Sequence, residues 1–379
     1  MRFPMILQSD FNKFLQEIRP TKAMRDQLIT GHKTLRERLN ADEDLKPILV
    51  SDFLQGSYRR YTAVRPKGDK RSDVDIIIVT KLDETEYTPK DALALFEPFL
   101  KEHYNGKWRR QGRSFGIEMS YVELDVVPTS APAEQEYGIL QSDAVTTNEN
   151  IVESRDWRLH RSWLAPEHRM RADAKLLLDQ AAGESEWLAQ PLRIPDRDAD
   201  EWDDTHPLEQ IRWIRDKNSR CNSHFVNVVK CIKWWRLEHY PEPAHPKGFP
   251  LERLVGEHCP DGIESVAEGV VKTLEAIVSC YAVLVLSKGK PMLPDYGVPA
   301  HDVFKRITGE DFCTFYDQVK DGADLSRRAF DSEDRTECGN LWREMFGPKF
   351  PAPPDNGSRK KSGFTTPTDP AAPGSGRFA

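Results

Sequence analysis

From residue 8 to residue 40 the apolar positions fall at helical spacing. Phe11, Phe14, Leu15 and Ile18 are followed by Leu28, Leu35 and Leu39, with Pro20 interrupting the run. Residues three and four apart share a helix face, so this stretch predicts helix, broken at the proline, whose nitrogen cannot donate. Between residues 48 and 130 the period shortens. Apolar strands alternate with polar turns, and one helix is expected around 89–103. Residues 131–206 are charged, proline-rich and without clear period. From Pro207 onward the spacing predicts helices over 207–219, 221–240, 264–288 and about 309–345. Thr205, followed by a proline in the first turn, is a good start signal for the first of these. Residues 351–379 hold six prolines, four glycines and three serines with almost nothing apolar, too little to bury for a folded segment. No internal repeat is present.

Chemistry enters where one apolar run begins. Asp73-Val74-Asp75 opens Ile76-Ile77-Ile78-Val79, and on a strand residues i and i+2 point to the same face. Asp73 and Asp75 therefore project together, while Val74 and Ile76 face away. Two carboxylates held so close repel unless a cation lies between them, and hard oxygen donors suit Mg²⁺. Asp125 opens a second apolar run and supplies a third carboxylate, enough for two ions. Sixteen residues before Asp73, Gly56-Ser57 follows a short apolar stretch and precedes Tyr58-Arg59-Arg60-Tyr61. That reads as strand, tight turn and helix start, where glycine lets backbone approach a phosphate and helix N–H groups favour anions. Each part alone has a plain alternative, a solvated aspartate pair or an N-cap turn; together they fit nucleotidyl transfer.

Composition narrows the partners. A net charge of −7 argues against a protein that coats nucleic acid, and no stable nucleic-acid partner is expected. The basic residues Arg59, Arg60, Arg65, Lys67, Lys70 and Arg71 instead crowd the proposed phosphate site, residues 67–71 reading equally as a solvated basic loop. Cys221, Cys231, Cys259, Cys280, Cys313 and Cys338 form no C-x-x-C pair, which fits reduced thiols and a cytoplasmic location. His258-Cys259 reads as buried or loop residues rather than as metal ligands. No membrane segment is expected: Asp10, Lys13 and Glu17 punctuate the N-terminus, and Val266–Leu286 contains Glu268, Lys272 and Glu275, as a core helix would.

Gln55-Gly56-Ser57-Tyr58-Arg59, Asp73-Val74-Asp75 and Glu123-Leu124-Asp125 resemble the signature of the DNA polymerase β-like nucleotidyltransferases. More narrowly, the chain resembles clade D of the bacterial cGAS/DncV-like nucleotidyltransferases (CD-NTases) of CBASS anti-phage systems. Phe11-Asn12-Lys13-Phe14-Leu15, Thr34-Leu35-Arg36-Glu37-Arg38-Leu39 and Gln111-Gly112-Arg113-Ser114-Phe115-Gly116-Ile117 carry that likeness. So do Thr205-His206-Pro207, Lys233-Trp234-Trp235-Arg236 and the stretches 363–367 and 376–379. It has no counterpart of the zinc module of animal cGAS.

The resemblance implies an α+β fold: a polymerase β-like core of mixed sheet and helices, a C-terminal helical lobe and a disordered tail. Its divisions would be a helical spine over 1–45, the nucleotidyltransferase core over 46–206, the helical domain over 207–347 and the tail over 348–379. It implies a cyclic AMP-AMP-GMP synthase using ATP and GTP, with Asp73, Asp75 and Asp125 as catalytic metal ligands for two Mg²⁺. Gln55, Gly56, Ser57 and Arg60 would bind nucleotide, Lys233 would lie on the triphosphate, and Asp196 would read a nucleobase edge from a lid. An E1/E2-like conjugating protein would act on a tail ending at Ala379, a JAB-like peptidase would reverse it, and an effector would be reached through the cyclic product. Two other readings stay open on the residues: a nucleotidyltransferase with another acceptor or cyclic product, and a non-catalytic scaffold that binds nucleotide.

Overall fold

In the computed structural model, residues 7–132, 191–240 and 245–354 are described. Most of the aperiodic segment and the chain beyond residue 354, Ala379 included, lie outside them. Helix α1 (Gln8–Ile18) ends before Pro20, and Thr21 caps α2 (Lys22–Ala41) by accepting from the Met24 amide at 3.2 Å. The two helices serve different cores. α1 inserts Phe11 and Phe14 among the rings of Trp342, Phe346 and Phe350, with Phe14 stacked on Phe346 at 4.6 Å. α2 instead gives Leu28, Leu35 and Leu39 to the core under the sheet.

That sheet has five strands in the order β1-β2-β5-β4-β3: β1 (Leu49–Gln55), β2 (Ser72–Thr80), β3 (Trp108–Arg110), β4 (Phe115–Glu118) and β5 (Val122–Pro128). Only β2 and β5 run parallel, which makes the sheet mixed. Val74, Ile76 and Ile78 point into one core with Leu124 and Val126. Ile77 and Val79 point the other way, under Leu192, Ile194 and Leu208. Asp73 and Asp75 share the second face by period two, beyond the reach of that cover. Burial on both faces explains why β2 reads as a continuous apolar run rather than an alternating one.

The structure departs from the expected elements in four places. The helix expected over 89–103 is two, α4 (Pro89–Ala94) and α5 (Glu97–Tyr104), because Pro98 in the first turn of α5 has no N–H to continue the ladder. A hairpin, β6 (Leu192–Asp196) with β7 (Glu201–Thr205), lies where no period was visible, since charged residues fill most of β7. In the helical lobe, α6 (Pro207–Arg220) and α7 (Phe225–His239) are followed by an unanticipated α8 (Phe249–His258). α9 (Val266–Leu286) then precedes a helix pair in place of the single one over 309–345. These are α10 (Gly309–Asp331) and α11 (Arg335–Phe346), divided where Asp334 accepts from the Glu337 amide at 2.7 Å as a new N-cap. α9 is the one helix among the described residues long and apolar enough to cross a membrane. Val270, Leu274 and Ile277 are fully buried in the helical core.

Candidate active site

β1 delivers the chain to the cleft and Gly56 turns it. Gly56 opens a single helical turn, α3 (Gly56–Arg59), with φ +74°, a left-handed conformation that glycine tolerates. Gln55 pairs with Asp75 across the β1–β2 ladder, so the turn lies against that carboxylate. A Cβ at Gly56 would stand 2.6 Å from Asp75 Cγ, and closer still to Oδ2. Gln55, Gly56, Ser57, Arg60, Asp73, Asp75 and Lys233 all line one cavity of about 520 Å³. Arg65, Lys67, Lys70 and Arg71 add a basic rim. Several of these cations already have partners. Lys67 meets Glu238 at 2.7 Å and lies over the Trp234 ring, and Arg71 pairs with Glu118.

The parallel β2–β5 register sets Asp75 directly beside Asp125 and Asp73 beside Glu123. Enclosure and the neighbouring charges of Asp73 and Asp125 push Asp75 up to about 7. Enclosure and the Glu123 charge push Asp125 up to about 6. Asp73 is raised as well, by the cleft walls, against the pull of Lys233. Three neighbouring carboxylates, all with raised pKa, fit a divalent cation chemically. Among the described residues no group of three His, Cys, Asp or Glu side chains is placed to hold a metal ion. Mg²⁺ rarely uses an all-protein cage, since substrate phosphates commonly complete its shell.

Gln111 joins this cluster, although no spacing in the sequence points to it. Its Nε2 donates to Asp125 Oδ1 at 3.0 Å, and its Oε1 accepts from Ser114 Oγ at 2.6 Å. The amide therefore fixes the Asp125 carboxylate, and Gly116 leaves the space, since a Cβ there would stand 2.7 Å from Gln111 Nε2. Only the register of β4 on β5 brings Gln111 to Asp125, which no local spacing announces.

Glu252 was also missed. It is fully buried on α8 and accepts from Arg60 Nε and from Lys233 Nζ, both at 3.0 Å. Those two cations hold its carboxyl down at about 2 in spite of burial. A glutamate between Leu251 and Leu254 on a helix with a proline start is the available signal.

Asp196, expected to read a nucleobase edge, lies apart from these residues. Its side chain does not line the cavity; it is buried at the end of β6, with Oδ1 accepting from the Asp198 and Ala199 amides and Oδ2 from Arg113 Nε at 2.8 Å. These contacts give it a place in the β6–β7 turn. His258 Nε2 lies 2.9 Å from the Tyr281 hydroxyl. All six cysteines are free.

These shifts give a signed pH expectation. An Asp whose folded pKa exceeds its unfolded value favours folding most below the unfolded pKa, and that contribution is lost as pH rises through the folded one. The metal-free cluster should therefore cost stability progressively from about pH 4 to about pH 7. Mg²⁺ removes that cost by favouring the ionised forms, so the Mg²⁺-induced rise in Tm should be clearly larger at pH 8 than at pH 5.5. Thermal melts with Mg²⁺ and with EDTA at both pH values measure this; an equal rise at both would contradict the assignment.

Residues 5–146 match the Second Messenger Oligonucleotide or Dinucleotide Synthetase domain. The chain is 48% identical over 382 residues to a cyclic AMP-AMP-GMP synthase of Enterobacter hormaechei subsp. hoffmannii, covering 99% of this chain and 100% of that one. It is 28% identical over 351 residues to a cyclic AMP-AMP-AMP synthase of an Acinetobacter species, covering 92% and 86%. The CD-NTase CdnG of Bradyrhizobium diazoefficiens, solved in complex with GTP, superposes with a TM-score of 0.63 at 12% identity. That superposition covers 89% of this chain and 95% of the other, and it speaks for the fold.

Proposed function

From the premise that this chain belongs to the Second Messenger Oligonucleotide or Dinucleotide Synthetase family, as a nucleotidyltransferase of the CD-NTase type, we propose that it makes cyclic AMP-AMP-GMP from ATP and GTP. The observation that carries the proposal is the side-by-side register of Asp75 and Asp125 under the Gly56 turn, with Asp73 on the same face of β2.

In the proposed reaction, the Gly56-Ser57 turn holds the donor's phosphates, with the Arg60 and Lys233 cations facing them. A ribose hydroxyl of the acceptor attacks the α-phosphorus in line. The new P–O bond forms as the bond to pyrophosphate breaks, and the hydroxyl proton is lost beside Asp125, which Gln111 holds in place. Asp73, Asp75 and Asp125 would hold two Mg²⁺, which when bound neutralise the transferring phosphoryl and the leaving pyrophosphate. Most of the protein's work is then positioning and charge placement. Further transfers and a ring closure in the same cleft give the cyclic product.

Incubation with all four NTPs and Mg²⁺, followed by mass spectrometry of phosphatase-resistant products, tests the proposal. A cyclic species with two AMP units and one GMP is expected. A cyclic species of other composition would correct the specificity while keeping the chemistry, and ATP binding without pyrophosphate release would favour a scaffold. We also propose that an E1/E2-like conjugating protein acts at Ala379 and a JAB-like peptidase reverses it. Deleting Ala379 should then abolish the higher-mass adduct formed when that protein is co-expressed, and an adduct that persists would refute the proposal.

A further inference from the structure

We infer that Glu252 is a positioning residue that sets the charge of the phosphate-binding wall. It binds Arg60 and Lys233 into one rigid unit and cancels one of their two charges. The inference rests on the proposed binding of a triphosphate in this cleft and goes beyond it in assigning a residue and a sign.

Three elements meet in this unit. Arg60 follows the phosphate turn at the end of α3, Lys233 comes from α7 and Glu252 from α8. Glu252 spends one oxygen on each cation, both at 3.0 Å, and has no exposed surface. Arg60 is also stacked over the Phe249 ring, with Cζ 5.0 Å from its centroid. Two cations against one anion leave this wall a net formal charge of +1, in the cavity that Asp73 and Asp75 also line. Burying such a group of charges costs desolvation energy that apolar packing would not. What the arrangement provides is placement: two cations that reach an incoming phosphate already ordered. Its second consequence is moderation. Without Glu252 the wall would carry +2 and would hold triphosphate, and the pyrophosphate product, more tightly.

Binding in Mg²⁺ of an ATP analogue with a methylene bridge between its α and β phosphorus atoms tests this on the full chain. Product formation and Tm are measured alongside. Each loss or gain of one wall charge is expected to shift affinity by about tenfold. K233M should bind the analogue about tenfold more weakly. E252Q should bind it about tenfold more tightly while turning over more slowly, so that KM and kcat fall together. The double variant E252Q/K233M restores the net charge and should return to within roughly threefold of wild type.

A merely structural glutamate would give a different result: E252Q would weaken binding and the double variant would bind no better than K233M. That outcome, or an E252Q affinity equal to wild type, would overturn the inference. Should E252Q alone fail to fold, the order of K233M and the double variant decides, because the double variant leaves one fewer orphaned cation. Wild type that neither binds the analogue nor forms product would instead overturn the reading of the cleft.

Discussion

Asp75→Asn should abolish synthesis, with a loss of about 10³-fold or more, and leave the protein folded. The side chain keeps its size and loses the charge on which phosphoryl chemistry depends. Asp75 sits enclosed between Asp73 and Asp125, and its pKa near 7 says that ionisation there is costly in the metal-free protein. Asparagine resembles the protonated form, so the variant should equal or exceed wild type in Tm at pH 8 in EDTA. It should also lose most of the Tm rise that Mg²⁺ confers. A residue required for folding would show the reverse: lower Tm with activity falling in proportion. The expected pair, a protein at least as stable and without product, is read by melts and mass spectrometry on one preparation. Turnover near the wild-type rate in Asp73→Asn/Asp75→Asn would remove these carboxylates from the chemistry.

What could be read from residues alone was whatever depended on local period. Asp73 and Asp75 share a face because strands alternate, and Gly56 sits next to them because a strand leads into it. Pro20 marked the break between α1 and α2, and the family likeness located Lys233. What the sequence concealed came from pairing at a distance. Gln111 reaches Asp125 only through the β4–β5 register, and Glu252 reaches Arg60 across 192 residues of chain. Asp196 illustrates a related ambiguity. An aspartate near a turn looks the same whether its oxygens face a ligand or its own hairpin, and here Arg113 and two amides had claimed them. The wall of Arg60, Lys233 and Glu252 extends the lesson. Two of its members were visible as phosphate-site cations, yet the charge they present is set by the third.

Gly56→Ala should cost about 10²-fold or more in synthesis while costing only about 1–2 kcal/mol in stability. Two effects combine at this residue. The φ of +74° strains any L side chain, which accounts for the modest destabilisation. The added methyl also overlaps the Asp75 carboxylate, with Cγ at 2.6 Å and Cβ at 3.2 Å. A carboxylate is the mobile end of its side chain and can turn away, so the overlap need not unfold the protein. Turning away moves Asp75 off the face it shares with Asp73 and Asp125, and a small displacement of a reacting group is expensive in rate. Gly68→Ala separates the two effects. Gly68 also has positive φ, +61°, but no atom lies within 4 Å of a Cβ there. It should show a similar fall in Tm and keep its synthesis. If both variants lose Tm equally and both keep activity, the Gly56–Asp75 contact has no part in catalysis. If Gly56→Ala alone loses product, the glycine is there for the carboxylate behind it, and the turn and the acidic strand form one device.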